Sequence, residues 1–98
     1  MALIADKAVK TFDLTEISRG VCVRIRRAGD TTFRNGFVTK ADEHRIEIIY
    51  CNNQNTATSY MHVMAVDVAI GVWEIFWTSD FQFVGHENNA PDIGEVDD

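Results

Sequence analysis

The sequence predicts a small, mainly β protein: an antiparallel barrel of five or six short strands, preceded by a short helix or an extra strand. Three observations carry that prediction. Apolar and polar residues alternate through Gly20–Arg27 and Arg45–Cys51, the period-two pattern of strands with one face buried. Turn-forming clusters at Ala28-Gly29-Asp30-Thr31, Asp42-Glu43-His44 and Thr78-Ser79-Asp80 divide the chain at the spacing of roughly 8–14 residues expected of a small barrel. The stretch from Tyr60 to Val84 holds both tryptophans and three of the six phenylalanines, a composition suited to buried, pleated backbone.

Each element follows in order. Ile4, Ala8 and Phe12 share helical spacing, with Leu3 and Val9 adding to that face; alternatively Lys10–Leu14 pairs as an extra strand. Phe12, Leu14 and Ile17 are placed to dock on the barrel. Val21, Val23 and Ile25 face inward from the first core strand, and Cys22, Arg24 and Arg26 face outward. Asn35-Gly36 is the strongest local turn signal; it marks either a hairpin tip or a bulge where the next strand, continuing through Phe37–Lys40, enters a tightly coiled barrel. Ile46, Ile48 and Tyr50 are the inward set of the third strand. The chain from Ser59 to Trp77 reads as two strands, Ser59–Val66 and Val72–Trp77, joined by a turn at Asp67–Gly71. Trp73, Ile75 and Trp77 form one face of the second, expected inside and nearly fully buried. Val72, Glu74 and Phe76 form the other. Phe81–Val84 reads as a short closing strand.

Length bounds the organisation. A chain of 98 residues forms one domain, expected over residues 1–86, with 87–98 a disordered acidic tail that holds the single proline, Pro91. All nine Lys and Arg residues lie at or before Arg45. The first fifty residues therefore carry a net +2 and the remainder −8, for a total of −6. Two cysteines are too few for a disulfide framework. With no leader pattern at the N-terminus, a cytoplasmic location is the expectation. Acidic interruptions in the Tyr60–Trp77 run argue against a membrane-spanning helix.

A resemblance enters on three short motifs. Ile17-x-x-Gly20-x-x-Val23-x-Ile25, then Asn35-Gly36-Phe37-Val38, then Ile46-x-Ile48 resemble an SH3-like barrel of the KOW or Tudor kind over about residues 17–84. The resemblance implies a fold far more than a function, because such barrels serve many unrelated roles. The acidic second half departs from the nucleic-acid-binding members. Small barrels without catalytic motifs are also similar to accessory and structural proteins of bacteriophages and mobile elements.

Candidate chemistry is sparse. His44, His62 and His86 are scattered, and neither HExxH nor CxxC occurs, so no metal or other cofactor is expected. No spacing arranges a nucleophile, a base and an oxyanion site, and no enzymatic activity is expected. Tyr50, Tyr60, Trp73 and Trp77 have the makings of an aromatic cage but are explained more simply as core. Arg24, Arg26, Arg27 and Arg34 offer one basic stripe for nucleic acid, against which the overall acidity acts. The expected function is a non-enzymatic protein-interaction or assembly module whose partner is another protein or a second copy of the chain, with a nucleic-acid-binding accessory as the alternative. The expected interface residues are Val72, Phe76, Met61, Val63 and Ile49, apolar positions that the alternation leaves for an outward face.

Overall fold

The alternation of β-branched residues along successive strands builds a single inner face, and on it the core assembles. The computed structural model describes residues 3–5, 10–51 and 57–89. β1 (Ile4–Ala5) and β2 (Thr11–Phe12) form a two-stranded antiparallel sheet. β3 (Cys22–Arg27), β4 (Arg34–Ala41), β5 (Arg45–Cys51), β6 (Thr58–Met64), β7 (Trp73–Thr78) and β8 (Gly85–Asn88) form one antiparallel sheet in the order β6-β5-β4-β3-β7-β8. β3 to β6 are a meander. One helical turn, α1 (Ala65–Ala69), then carries the chain from β6 to β7, which pairs beside β3. The result is the all-β, barrel-like globule that the alternation predicts.

Val23, Ile25, Val38, Ile46, Ile48, Val63, Ile75 and Trp77 line the inner face, and Leu3, Phe12, Ile17, Ala65 and Val68 pack against them. Each large aliphatic side chain buried this way contributes roughly 1.5–3 kcal/mol. The β1–β2 pair is tied to the larger sheet at two points. Phe12 N–H donates to the Glu43 carbonyl at 2.7 Å, in the β4–β5 turn. Leu3 N–H donates to Glu87 Oε1 at 3.2 Å, on β8. The helical alternative for residues 2–12 is thus replaced by the strand alternative, shortened to Thr11–Phe12; residues 6–9 lie outside the described ones. Phe12 and Ile17 dock as expected, but Leu14 is 42% exposed.

Four local expectations change. Asp67–Gly71 is not a simple turn. Ala65 and Val68, three residues apart, both bury into the core, which favours a helical turn, and Gly71 then takes the left-handed φ of 92° that lets the chain leave it. Asn35-Gly36 is neither hairpin tip nor bulge. Both residues sit inside β4, opposite Arg24 and Val23. A Cβ on Gly36 would stand 2.1 Å from the Ile49 carbonyl oxygen, so glycine there permits close strand approach; the irregularity in β4 falls between Val38 and Lys40. Phe81–Val84 is not a strand. The closing strand is β8, whose His86, Glu87 and Asn88 pair with β7, so Glu87 and Asn88, expected in the tail, belong to the sheet. The acidic run 90–98 lies outside the described residues. Trp73 shares the inner face with Ile75 and Trp77 but is only half-buried, because it stands at the end of β7 where the sheet opens.

Candidate functional site

The outer face of β7–β3–β4 is concave and aromatic. Cys22, Arg24 and Arg26 project outward from β3, flanked by Glu74, Phe76 and Thr78 of β7 and by Asn35 and Phe37 of β4. Phe33, from the β3–β4 connection, and Phe81 and Val84, from the segment after β7, complete a groove of ≈ 740 Å³. Phe33 and Phe76 meet with ring centroids 5.8 Å apart and tilted 58°. The His86 ring stacks on Phe76 at 4.2 Å. Arg24 and Arg26 lie over the Phe33 ring at 4.6 and 4.7 Å, an arrangement that binds cations to the ring face.

The charges in the groove are matched locally. Glu74 is the buried acid of the outer face, and its carboxylate takes Arg26 Nε and Nη2 at 2.8 Å and His86 Nε2 at 2.7 Å. Burial pushes the Glu74 carboxyl up, but the hydrogen bonds of His86 and Arg26 outweigh that and hold it below its ordinary value.

The groove wall beyond β7 is a fixed loop. Asp80 Oδ1 accepts from the N–H groups of Gln82 at 2.8 Å and Phe83 at 3.2 Å. Thr78 Oγ1 accepts from Phe81 N–H at 2.8 Å and donates to the Phe83 carbonyl at 2.8 Å. The Gln82 and Phe83 amides lower the Asp80 carboxyl below its ordinary value. Phe81 is held at φ 63°, a left-handed conformation that costs a bulky residue on the order of 1–3 kcal/mol. The loop thereby presents Phe81 and Phe83 to solvent at 75% and 81% exposure. Large aromatics held outward on a strained, hydrogen-bonded loop have no role in the core.

Of the residues expected at an interface, Phe76 alone lines this groove. Val63 is wholly buried on the inner face of β6, and Met61, on the same face, packs against the core; the outward set of β6 is Tyr60, His62 and Met64. Ile49 and Val72 are half-buried and stand away from the groove. The four arginines do not form one stripe. Arg24 and Arg26 face outward, whereas Arg27 lies over Trp73 at 4.9 Å and Arg34 over Tyr50 at 5.1 Å, at the mouth of the inner face. The aromatic cage is likewise divided. Trp77 is core, Tyr60 faces outward, and Trp73 and Tyr50 each carry a guanidinium already. Among the described residues no three His, Cys, Asp or Glu side chains come together to hold a metal. No helix among them is long and apolar enough to cross a membrane.

A family described as a domain of unknown function, DUF5026, matches residues 3–84. The chain belongs to that family. The DUF5026 match takes in the β1–β2 pair, the meander, α1, β7 and the loop with Phe81 and Val84, and it stops one residue short of β8. No curated protein and no solved structure matches the chain.

Phe33, Phe37, Phe81 and Val84 were not singled out by sequence for this role. The Thr78-Ser79-Asp80 cluster carried a usable signal, because Asp and Thr followed by exposed amides make side-chain-to-backbone turns rather than strands.

Proposed function

We propose that the protein is a non-enzymatic assembly module and that the groove on the outer face of β7–β3–β4 docks a second copy of the chain. The observation that carries this is the pairing, on one surface, of an aromatic groove with a rigid aromatic projection. A two-fold interface needs both parts side by side on the same patch. Phe37, Phe81, Phe83 and Val84 are between 54% and 81% exposed. At roughly 150–250 Å² for each aromatic ring, they offer several hundred Å², within reach of the roughly 800 Å² per partner of a stable interface. Arg26, Glu74 and His86 satisfy one another, so two copies meet without an unpaired buried carboxylate. The likeness to SH3-like barrels of the KOW or Tudor kind belongs to this reading, supported by the return of β7 beside β3 after a single helical turn. So does a role among the accessory and structural proteins of bacteriophages or mobile elements, on fold-level likeness. A cytoplasmic setting is supported by two free cysteines, Cys22 and Cys51.

Sedimentation equilibrium tests the proposal. The wild type is expected to be dimeric at micromolar concentration, and Phe81→Glu monomeric with an unchanged circular dichroism spectrum. Added salt is expected to tighten the dimer, because it screens the repulsion between two chains of charge −6. A wild type that stays monomeric across the concentration series overturns the proposal.

A further inference from the structure

The larger sheet has two edges, β6 and β8, and they differ. β8 is four residues long and covers the flank of β7. β6 is seven residues long and pairs with β5 at every position without a break in register. Ala65 N–H donates to the His44 carbonyl at 2.8 Å, one step beyond the register that sets Arg45 opposite Met64. Opposed residues of an antiparallel pair alternate between bonded and non-bonded, so Val63, Met61 and Ser59 direct their N–H and C=O groups at β5. The other flank of β5 agrees: Asp42 N–H donates to the Arg45 carbonyl at 3.0 Å, which turns Arg45 toward β4 and leaves Ile46 for β6. Thr58, Tyr60 and His62 therefore direct their backbone N–H and C=O groups away from the sheet. Among the described residues no other group bonds to these, and all three residues are exposed. β6 also lacks the devices that keep an open edge unpaired. It contains no Lys, Arg, Asp or Glu and no proline, and its pairing with β5 has no bulge.

We infer that the β6 edge takes up an extended, basic segment of a partner protein as a seventh strand of the sheet. Donors and acceptors that recur at every second residue along an edge match another extended backbone. Added antiparallel, the segment continues the pairing of the whole sheet. Its sequence preference is set beside Tyr60, where a β-branched or aromatic side chain is the favourable cross-strand neighbour. Charge selects the partner. Within the β5–β6 pair the charges of Arg45 and Glu47 offset one another, so the field of the whole chain decides. That field is −6, and β6 lies in the half that has eight acids and no Lys or Arg. A basic segment is drawn in and an acidic one is repelled.

Amide hydrogen exchange in the ¹⁵N-labelled full chain tests the edge, with the peptide acetyl-Lys-Thr-Val-Lys-Val-Thr-Val-Lys-amide as the probe. In the chain alone the Tyr60 and His62 amides are expected to exchange fast, and those of Met61 and Val63 slowly. Millimolar peptide is expected to slow Tyr60 and His62 at least about tenfold, in proportion to occupancy of the edge. The peptide N-methylated along one of its edges is expected to lose this effect, and the peptide N-methylated along the other to keep it. The counterpart with Glu in place of Lys is expected to bind more weakly. Tyr60→Pro removes an outward N–H and no bond to β5; it is expected to keep the wild-type circular dichroism spectrum and to bind no peptide. Unslowed exchange at millimolar peptide overturns the inference, as does equal protection by both N-methylated forms. Protection of Tyr60 and His62 in the chain alone also overturns it: if it rises with protein concentration the occupant is a second copy, and if it does not the occupant is the chain itself.

Discussion

The outer face of the sheet carries two unlike regions. On β5–β6, polar groups satisfy one another: Glu47 accepts from Thr39 Oγ1 at 2.8 Å and pairs with His62 Nε2 at 3.1 Å, and those bonds hold its carboxyl below its ordinary value. Tyr60 and Met64 stand exposed on either side of His62, and exposed apolar residues scattered among polar ones are normal. On β7–β3–β4, Phe33, Phe37, Phe76, Phe81 and Val84 are contiguous and concave, and a strained loop keeps them so. What separates the regions is contiguity and fixed display, and those are the marks of a contact surface.

The largest expected effect lies beneath the groove. Trp77 is buried between the groove and the core, and its indole N–H donates to Glu16 Oε1 at 3.3 Å. Trp77→Ala is expected to cost about 3–5 kcal/mol by chemical denaturation, and Trp73→Ala, half-exposed, distinctly less. Equal losses would mean that the two tryptophans are equally core.

A smaller effect distinguishes the two carboxylates. Glu74→Gln removes the charge and one of the two acceptor oxygens that hold Arg26 and His86 in a buried setting and is expected to cost about 1–3 kcal/mol. Glu47→Gln, more exposed, is expected to leave the thermal midpoint nearly unchanged. Because the folded Glu74 carboxyl lies below its ordinary value, its stabilisation is present above the unfolded value of about 4.3. It is lost as pH falls through the lower folded value. The wild type should therefore lose stability there more steeply than Glu74→Gln. Parallel pH profiles would contradict the assignment.

The inner face was legible because β-branched residues recur at alternate positions in β3 and β5: Val23, Ile25, Ile46 and Ile48 are all buried, and Arg45–Cys51 is the observed β5. Alternation failed to orient β6, because both of its faces are largely apolar and only pairing with β5 decides that Val63 faces in. Asn35-Gly36 misled because a local turn signal was overridden by close approach of β4 to β5. β8 was hidden for the opposite reason. Gly-His-Glu-Asn has little strand propensity, and it is held by His86 on Glu74 and Phe76. The groove draws on residues from Cys22 to Val84, a juxtaposition that no local pattern encodes.

A small effect on stability is also expected at the loop. Asp80→Ala frees the Gln82 and Phe83 amides and should lower the thermal midpoint only slightly. It should nevertheless weaken self-association by releasing Phe81 from its fixed conformation; unchanged association would show that the loop need not be preorganised.

Hydroxyl-radical footprinting across a dilution series tests most directly whether the two outer regions differ as described. Tyr60, at 60% exposure, serves as the internal reference on β6. Labelling of Phe37 and Phe81 is expected to fall as concentration rises, while that of Tyr60 holds constant. Protection of Tyr60 with Phe37 and Phe81 unchanged would place the contact on β5–β6 and contradict the account.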